Sequence, residues 1–163
     1  MNWKTIIKEA TRILKREEGW RGYIYDDIDG HRLEKGQLVR GTPTVGYGFT
    51  LLINDPVPQE IYEMFPRWGD MGVALHVKKI IDYDLQRFYV YLPHLNEARL
   101  VVLICMVYQL GFTGVLGFTN MVKAIIDEDW DKVADEMLDS KWAREDSPAR
   151  AERMAVTMRK GKL

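Results

Sequence analysis

Apolar positions recur at helical spacing at the start of the chain. Trp3, Ile6, Ile7, Ala10, Ile13 and Leu14 share one face and predict an amphipathic helix over 3–18. Glu18 falls four residues after Leu14 on that face, and Gly19 follows as a C-cap. The period then shortens: Tyr23, Ile24 and Tyr25 have strand character, and Asp29-Gly30 reads as a hairpin turn. Leu33, Leu38 and Val39 flank a Lys35-Gly36 turn, which predicts an extended hairpin over 32–40. Pro56, Pro58 and Pro66 mark 54–66 as loop with a short helical turn. Val73, Val77, Ile80, Ile81, Leu85 and Phe88 predict a helix over about 70–91, ended by Pro93 and bridging a small β-containing lobe to a helical one. After Asn96 the run A-R-L-V-V-L-I-C-M-V-Y-Q-L is apolar on nearly all sides, as a central buried helix should be, until Gly111, Gly114 and Gly117 break it into turns. The expected class is α+β.

Composition narrows the possibilities. The 163 residues are one domain's worth of chain, 1–163, with 47% apolar and 29% charged residues as in ordinary globular proteins. A net charge of −1 gives no general reason to expect nucleic acid or an anionic membrane as partner. Cys105 sits within V-V-L-I-C-M-V and reads as core. His31, His76 and His94 lack ligand spacing, no nucleotide-binding glycine pattern is present, and no metal or cofactor is expected. No uninterrupted run of about 18 apolar residues occurs, so no membrane span is expected. Lysines and Glu9 interrupt any signal-peptide core, so synthesis in the cytoplasm is expected. Residues 127–139 carry seven acids and one lysine, and 141–163 seven basic residues against three acids. These predict solvated, partly paired faces, with contact between the basic surface and an anionic wall polymer as the alternative.

The candidate chemistry lies in two carboxylates. Glu18 combines a core-facing position with the carbonyl end of a helix dipole, a place that disfavours the anion and suits a general acid. The local pattern leaves open a solvated Glu17-Glu18 pair at a frayed helix end. Asp27 follows nine residues later in I-Y-D-D-I-D-G. A calcium loop there would require Tyr25 and Gly36 where Asp and Glu are needed, so a metal site is rejected. Asp29, and with it Asp26, reads as turn-forming.

The pattern E-G-x-R-x-x-x-Y-x-D followed by T-V-G-Y-G resembles the catalytic region of the phage-type lysozymes, the glycoside hydrolase family of the T-even phage lysozyme. M-V-Y-Q-L-G-F-T-G-V-L-G-F-T-N, W-D-K-V-A and S-K-W-A-R-E-D-S-P-A-R-A-E-R are similar to that family in the same order, so the resemblance covers most of the chain. It implies a lysozyme-like fold with a small N-terminal lobe over about 15–75 and a helical lobe over 76–163, helix 3–18 packing on the latter. It also implies an endolysin, a monomer that cleaves the β-1,4 bond between N-acetylmuramic acid and N-acetylglucosamine in bacterial peptidoglycan, reaching the wall through a membrane pore. Glu18 would be the general acid, Asp27 the ionised partner, and Thr44 the hydroxyl that positions water for an inverting reaction. Arg150, after S-P-A, would pair with Glu18. Tyr108 and Gln109 would stand at the cleft wall as glycan contacts, although Tyr108 reads equally well as a core aromatic.

Two departures from the pattern stand out. Asp27 and Thr44 are 17 residues apart where the family has a short gap, and Phe49 stands where the family commonly has a histidine. Two rival readings remain: a lytic transglycosylase, which needs no Asp, and a lysozyme-like protein that grips glycan without cutting it.

Overall fold

Helix α1 (Trp3–Glu18) forms over the predicted residues, with Ile6, Ala10 and Leu14 fully buried and Trp3 largely exposed. The computed structural model describes residues 1–34, 36–51, 66–88 and 90–163. Lys35 of the expected turn and nearly all of the expected 54–66 loop lie outside them. The described residues divide into two compact units, one of Met1–Thr11 with Leu75–Leu163 and one of Arg12–Ala74.

The smaller unit holds a three-stranded antiparallel sheet, β1 (Arg21–Asp26), β2 (Pro43–Gly46) and β3 (Phe49–Thr50), in that order. Alternation along β1 sends Ile24 to one face, where it meets Leu33 and Val45, with Val39, Phe49 and Leu51 packed on them. Arg21 pairs with Gly46 and Tyr25 with Thr44, so four steps along β1 oppose two along β2, and the strand bulges between them.

The 32–40 insert differs from the expected hairpin. Its first arm joins the free edge of β1 through a Tyr25–Arg32 bridge and a Leu33 N–H to Ile24 carbonyl bond of 2.9 Å. A turn follows, closed by Gln37 N–H on the Glu34 carbonyl and Glu34 N–H on Gln37 Oε1, both 3.0 Å. No strand ladder joins the two arms among the described residues. The physical reason is that Leu33 and Val39 are both drawn onto the Ile24–Val45 core, so each arm is held by the core instead of by the other. Leu38, the third apolar residue of the pattern, is exposed.

Helix α2 (Pro66–Lys79) begins at Pro66, earlier than expected, because proline is well tolerated in a first helical turn where its missing N–H has no partner to lose. Its Gly69 and Gly72 are notches. A Cβ on Gly69 would lie 2.2 Å from Trp20 Cζ3, and one on Gly72 would lie 2.8 Å from Phe49 Cζ. Each glycine lowers helix propensity by about 1 kcal/mol against alanine, and each makes room for a partly buried ring. Lys15 near the end of α1 pairs with Asp70 at 2.7 Å, also within this unit. Beyond Lys79 the chain continues as a wide turn, Ile80–Asp84, and a tight one, Leu85–Phe88.

In the larger unit α3 (Glu97–Leu116) is followed by α4 (Thr119–Ile126), α5 (Trp130–Leu138), a wide turn at Trp142–Asp146, and α6 (Pro148–Lys160), which packs on α3 and α5. Asn96 caps α3 by accepting from Arg99 N–H at 3.0 Å, and every residue from Leu100 to Val107 is buried. By length and composition α3 could cross a membrane, its best 18-residue window having a mean hydropathy of 1.8. Counting uninterrupted apolar residues overlooks this, because Arg99 and Gln109 break the run. Within the folded chain 56% of that window is buried, as in the core helix of a globular protein. Gly111, at φ 72 and ψ 164, breaks α3 as expected and Gly117 caps its end, whereas the chain stays helical through Gly114. The acidic and basic stretches do pair: Arg159 of α6 meets Asp131 at 2.9 Å and Asp135 at 2.5 Å, both on α5.

Candidate active site

Three of the predicted residues, Glu18, Asp27 and Thr44, belong to the smaller unit. Glu18 is the last residue of α1 and half buried. Gly19 stops the helix in the left-handed conformation at φ 67. The Glu18 carboxylate then lies beside the β2–β3 turn, with Oε2 3.4 Å from where a Cβ would stand on Gly48. Its neighbour Glu17 pairs with Arg16 at 2.6 Å. The two glutamates of the helix end are therefore not equivalent.

Asp27 opens the turn that follows β1 and is exposed. It is held twice by one residue: its N–H donates to the Thr42 carbonyl at 3.2 Å, and its Oδ1 accepts the Thr42 N–H at 2.6 Å. Thr44 is almost completely buried on β2, with Tyr25 opposite on β1 and Thr50 opposite on β3. Its hydroxyl donates to the Thr42 carbonyl at 3.1 Å. The 17-residue separation is thus closed by Thr42, whose amide and carbonyl serve both Asp27 and Thr44.

Tyr25 links the two carboxylates. It shares a sheet face with Thr44, and the Arg21 guanidinium stacks on its ring at 4.2 Å while donating to the Gly30 carbonyl at 3.1 Å. Burial pushes the Tyr25 phenol above its ordinary value; Arg21 opposes this, and the negative charges of Glu18 and Asp27 both add to it. Glu18 and Asp27 are therefore within electrostatic reach of one phenol. Tyr25 is the tyrosine of E-G-x-R-x-x-x-Y-x-D, so its spacing was the signal that could have singled it out.

Asp26 does form the turn, accepting from Ile28 N–H two residues on, but it does more than that. Its carboxylate is fully buried and accepts from Ile28 N–H at 3.1 Å, Arg40 N–H at 2.7 Å and Gly41 N–H at 3.2 Å. Burial raises the carboxyl, but these backbone donors, with help from His31, outweigh it and hold Asp26 below the ordinary carboxylate range. Period-two alternation from Ile24 was the overlooked signal, since it puts Asp26 on the core face. Asp29 does form a turn, accepting at 3.0 Å from His31 N–H and meeting His31 Nδ1 at 3.1 Å, and these bonds lower its carboxyl too.

The other three predicted residues belong to the larger unit. Tyr108 packs on His76 with ring centroids 4.5 Å apart; burial, reinforced by Lys79, depresses that imidazole. Gln109 uses both ends of its amide, donating to Ser147 Oγ at 2.6 Å and accepting from Trp142 Nε1 at 2.9 Å. Arg150 stands in the first turn of α6. A cavity of about 370 Å³ in this unit is bordered by Phe118, Trp142, Glu136 and Asp146, and its lining includes none of the six predicted residues. No group of three or more potential metal ligands occurs among the described residues. Compared with models of known protein families, the chain matches none.

Proposed function

We propose that the chain is a peptidoglycan hydrolase of lysozyme type, cleaving the β-1,4 bond between N-acetylmuramic acid and N-acetylglucosamine with inversion. The observation that carries the reading is the meeting of Asp27 and Thr44 on Thr42, with Glu18 and Asp27 both in the field of Tyr25. Glu18 delivers its proton to the glycosidic oxygen as the bond breaks. Asp27 acts as the general base and takes the proton that the water releases as it bonds to the anomeric carbon. A water donating one hydrogen to Asp27 Oδ2 and the other to Thr44 Oγ1 keeps a lone pair for the anomeric carbon. Thr44 suits that task because its own hydrogen already goes to the Thr42 carbonyl, leaving its oxygen as an acceptor. The roles of Tyr108, Gln109 and Arg150, and the lysozyme-like detail of the fold, rest on the motif resemblance alone.

Turbidity clearing of permeabilised bacterial cells tests the proposal. Glu18→Gln is nearly isosteric and removes the transferable proton, so it should fold and lose about 10²-fold or more in rate. Clearing near the wild-type rate removes Glu18 as the acid. Reducing N-acetylmuramic ends are the expected products, and anhydro-muramic ends would move the protein to the lytic transglycosylases.

A further inference from the structure

Asp26 is a buried acid that the hydrolytic scheme leaves unused, and its contacts are all with backbone that leads to the scheme's residues. It precedes Asp27 directly and is fully buried where Asp27 is exposed. The N–H groups of Arg40 and Gly41 that it gathers immediately precede Thr42. Thr42 in turn donates to Asp27 and accepts from Thr44. The fit is close: a Cβ on Gly41 would stand 2.2 Å from Asp27 Oδ1 and 2.8 Å from Asp26 Oδ1, so this glycine passes between the two carboxylates. Only a residue without a side chain brings the strand that near.

We propose that Asp26 is a positioning residue that converts the long insert into a support for the active site, fixing residues 40 and 41 so that Thr42 orients Asp27 and Thr44. The inference rests on the hydrolase reading for its catalytic consequence, but the placement of Thr42 stands apart from it. The charge matters as well as the shape. A carboxylate accepts on both oxygens and so satisfies donors arriving at each, Ile28 and Gly41 at Oδ1, Arg40 and Gly41 at Oδ2. An asparagine must turn an NH₂ towards one of those N–H groups, leaving buried donors facing each other.

Asp26→Asn in the full chain, read in two ways, tests this. On soluble glycan–peptide fragments of peptidoglycan, kcat should fall by about 10- to 100-fold with KM within about twofold, the signature of misplaced groups with binding retained. In amide hydrogen exchange without substrate, Gly41 and Thr42 should exchange about tenfold faster while Val45 on β2 keeps its protection. Unchanged exchange at Thr42, or an equal loss at Thr42 and Val45, overturns the proposal, as does an unchanged kcat in an active enzyme. Should the asparagine variant fail to fold, Asp26→Glu keeps the charge, moves it by one methylene and takes the same two readings. A wild type that cuts no glycan refutes the hydrolase reading, while exchange at Thr42 still decides whether Asp26 holds residue 42.

Discussion

The Thr42 main-chain N–H donates to Asp27 Oδ1 at 2.6 Å, and the Thr42 carbonyl accepts the Thr44 hydroxyl at 3.1 Å, so one peptide segment sets the direction of a carboxylate and of a hydroxyl. With water held between Asp27 and Thr44, inverting chemistry calls for carboxyl groups roughly 6.5–9.5 Å apart. The first-formed product should then be the α-anomer by proton NMR. Thr44→Val keeps the shape and removes the acceptor, and should lower kcat by about 10²-fold. A β-configured product would show retention and end the water-positioning role of Thr44.

The insert divides into a dispensable tip and an indispensable base. Replacing 34–38 by a tight turn while keeping Leu33, Val39, Arg40 and Gly41 should leave fold and activity measurable, since Leu38 is exposed and the tip is closed by its own bonds. Leu33→Ala should instead cost about 2–5 kcal/mol, because Leu33 is buried against Ile24 and Val45. Urea denaturation separates the two cases. A Leu33→Ala variant as stable as wild type would mean that the insert is not part of the core.

Gln109 gives a third test. Its amide holds Trp142 and Ser147, so Gln109→Ala should destabilise the chain by about 1–3 kcal/mol through the orphaned indole N–H. A Gln109 that matters only to glycan would leave the thermal midpoint unmoved and change KM alone.

The acid limb of the stability profile follows from Asp26 and Asp29. Both carboxyls are depressed in the folded chain, Asp26 by backbone donors that overcome its burial and Asp29 by its bonds with His31. The unfolded reference is about 3.9, so their contribution is complete above about pH 5 and disappears as pH falls through the depressed folded values. His31 faces both groups and Asp29 opposes Asp26. Urea midpoints should fall in two stages on acidification, first below about pH 6.5, where the buried His76 resists the proton that the unfolded chain takes up, and again below about pH 4 as Asp26 and Asp29 are protonated. The acid slope should shrink in Asp26→Asn, and an unchanged slope would show that Asp26 is not among the groups responsible.

Much of the α+β outline was legible because long periodic runs decide their own structure. Ile6, Ala10 and Leu14 marked α1, and the residues around Cys105 marked α3 as a core helix. The insert was misread because a pair of apolar residues on either side of a turn looks the same whether the arms hold each other or a third element. Three neighbouring acids suggest a polar turn, and Asp26 does bond the nearby Ile28 N–H, but its burial depends as well on the donors of residues 40 and 41, fourteen and fifteen positions away. Long-range backbone donors leave no mark on local composition. Gln109 illustrates the same limit, its partners lying 33 and 38 residues downstream.

The buried charge of Asp26 also bears on how the smaller unit assembles. Once residue 33 has been synthesised, β1 can recruit the first arm of the insert, but the Asp26 carboxylate loses water safely only when 40 and 41 arrive. A slip of β2 by a single residue would turn Thr44 towards the core and draw the Arg40 and Gly41 amides away from the carboxylate, stranding a charge in an apolar setting. The Asp26 carboxylate therefore sets an energetic penalty on strand slippage, because the observed register is the one that supplies it with the Arg40 and Gly41 donors.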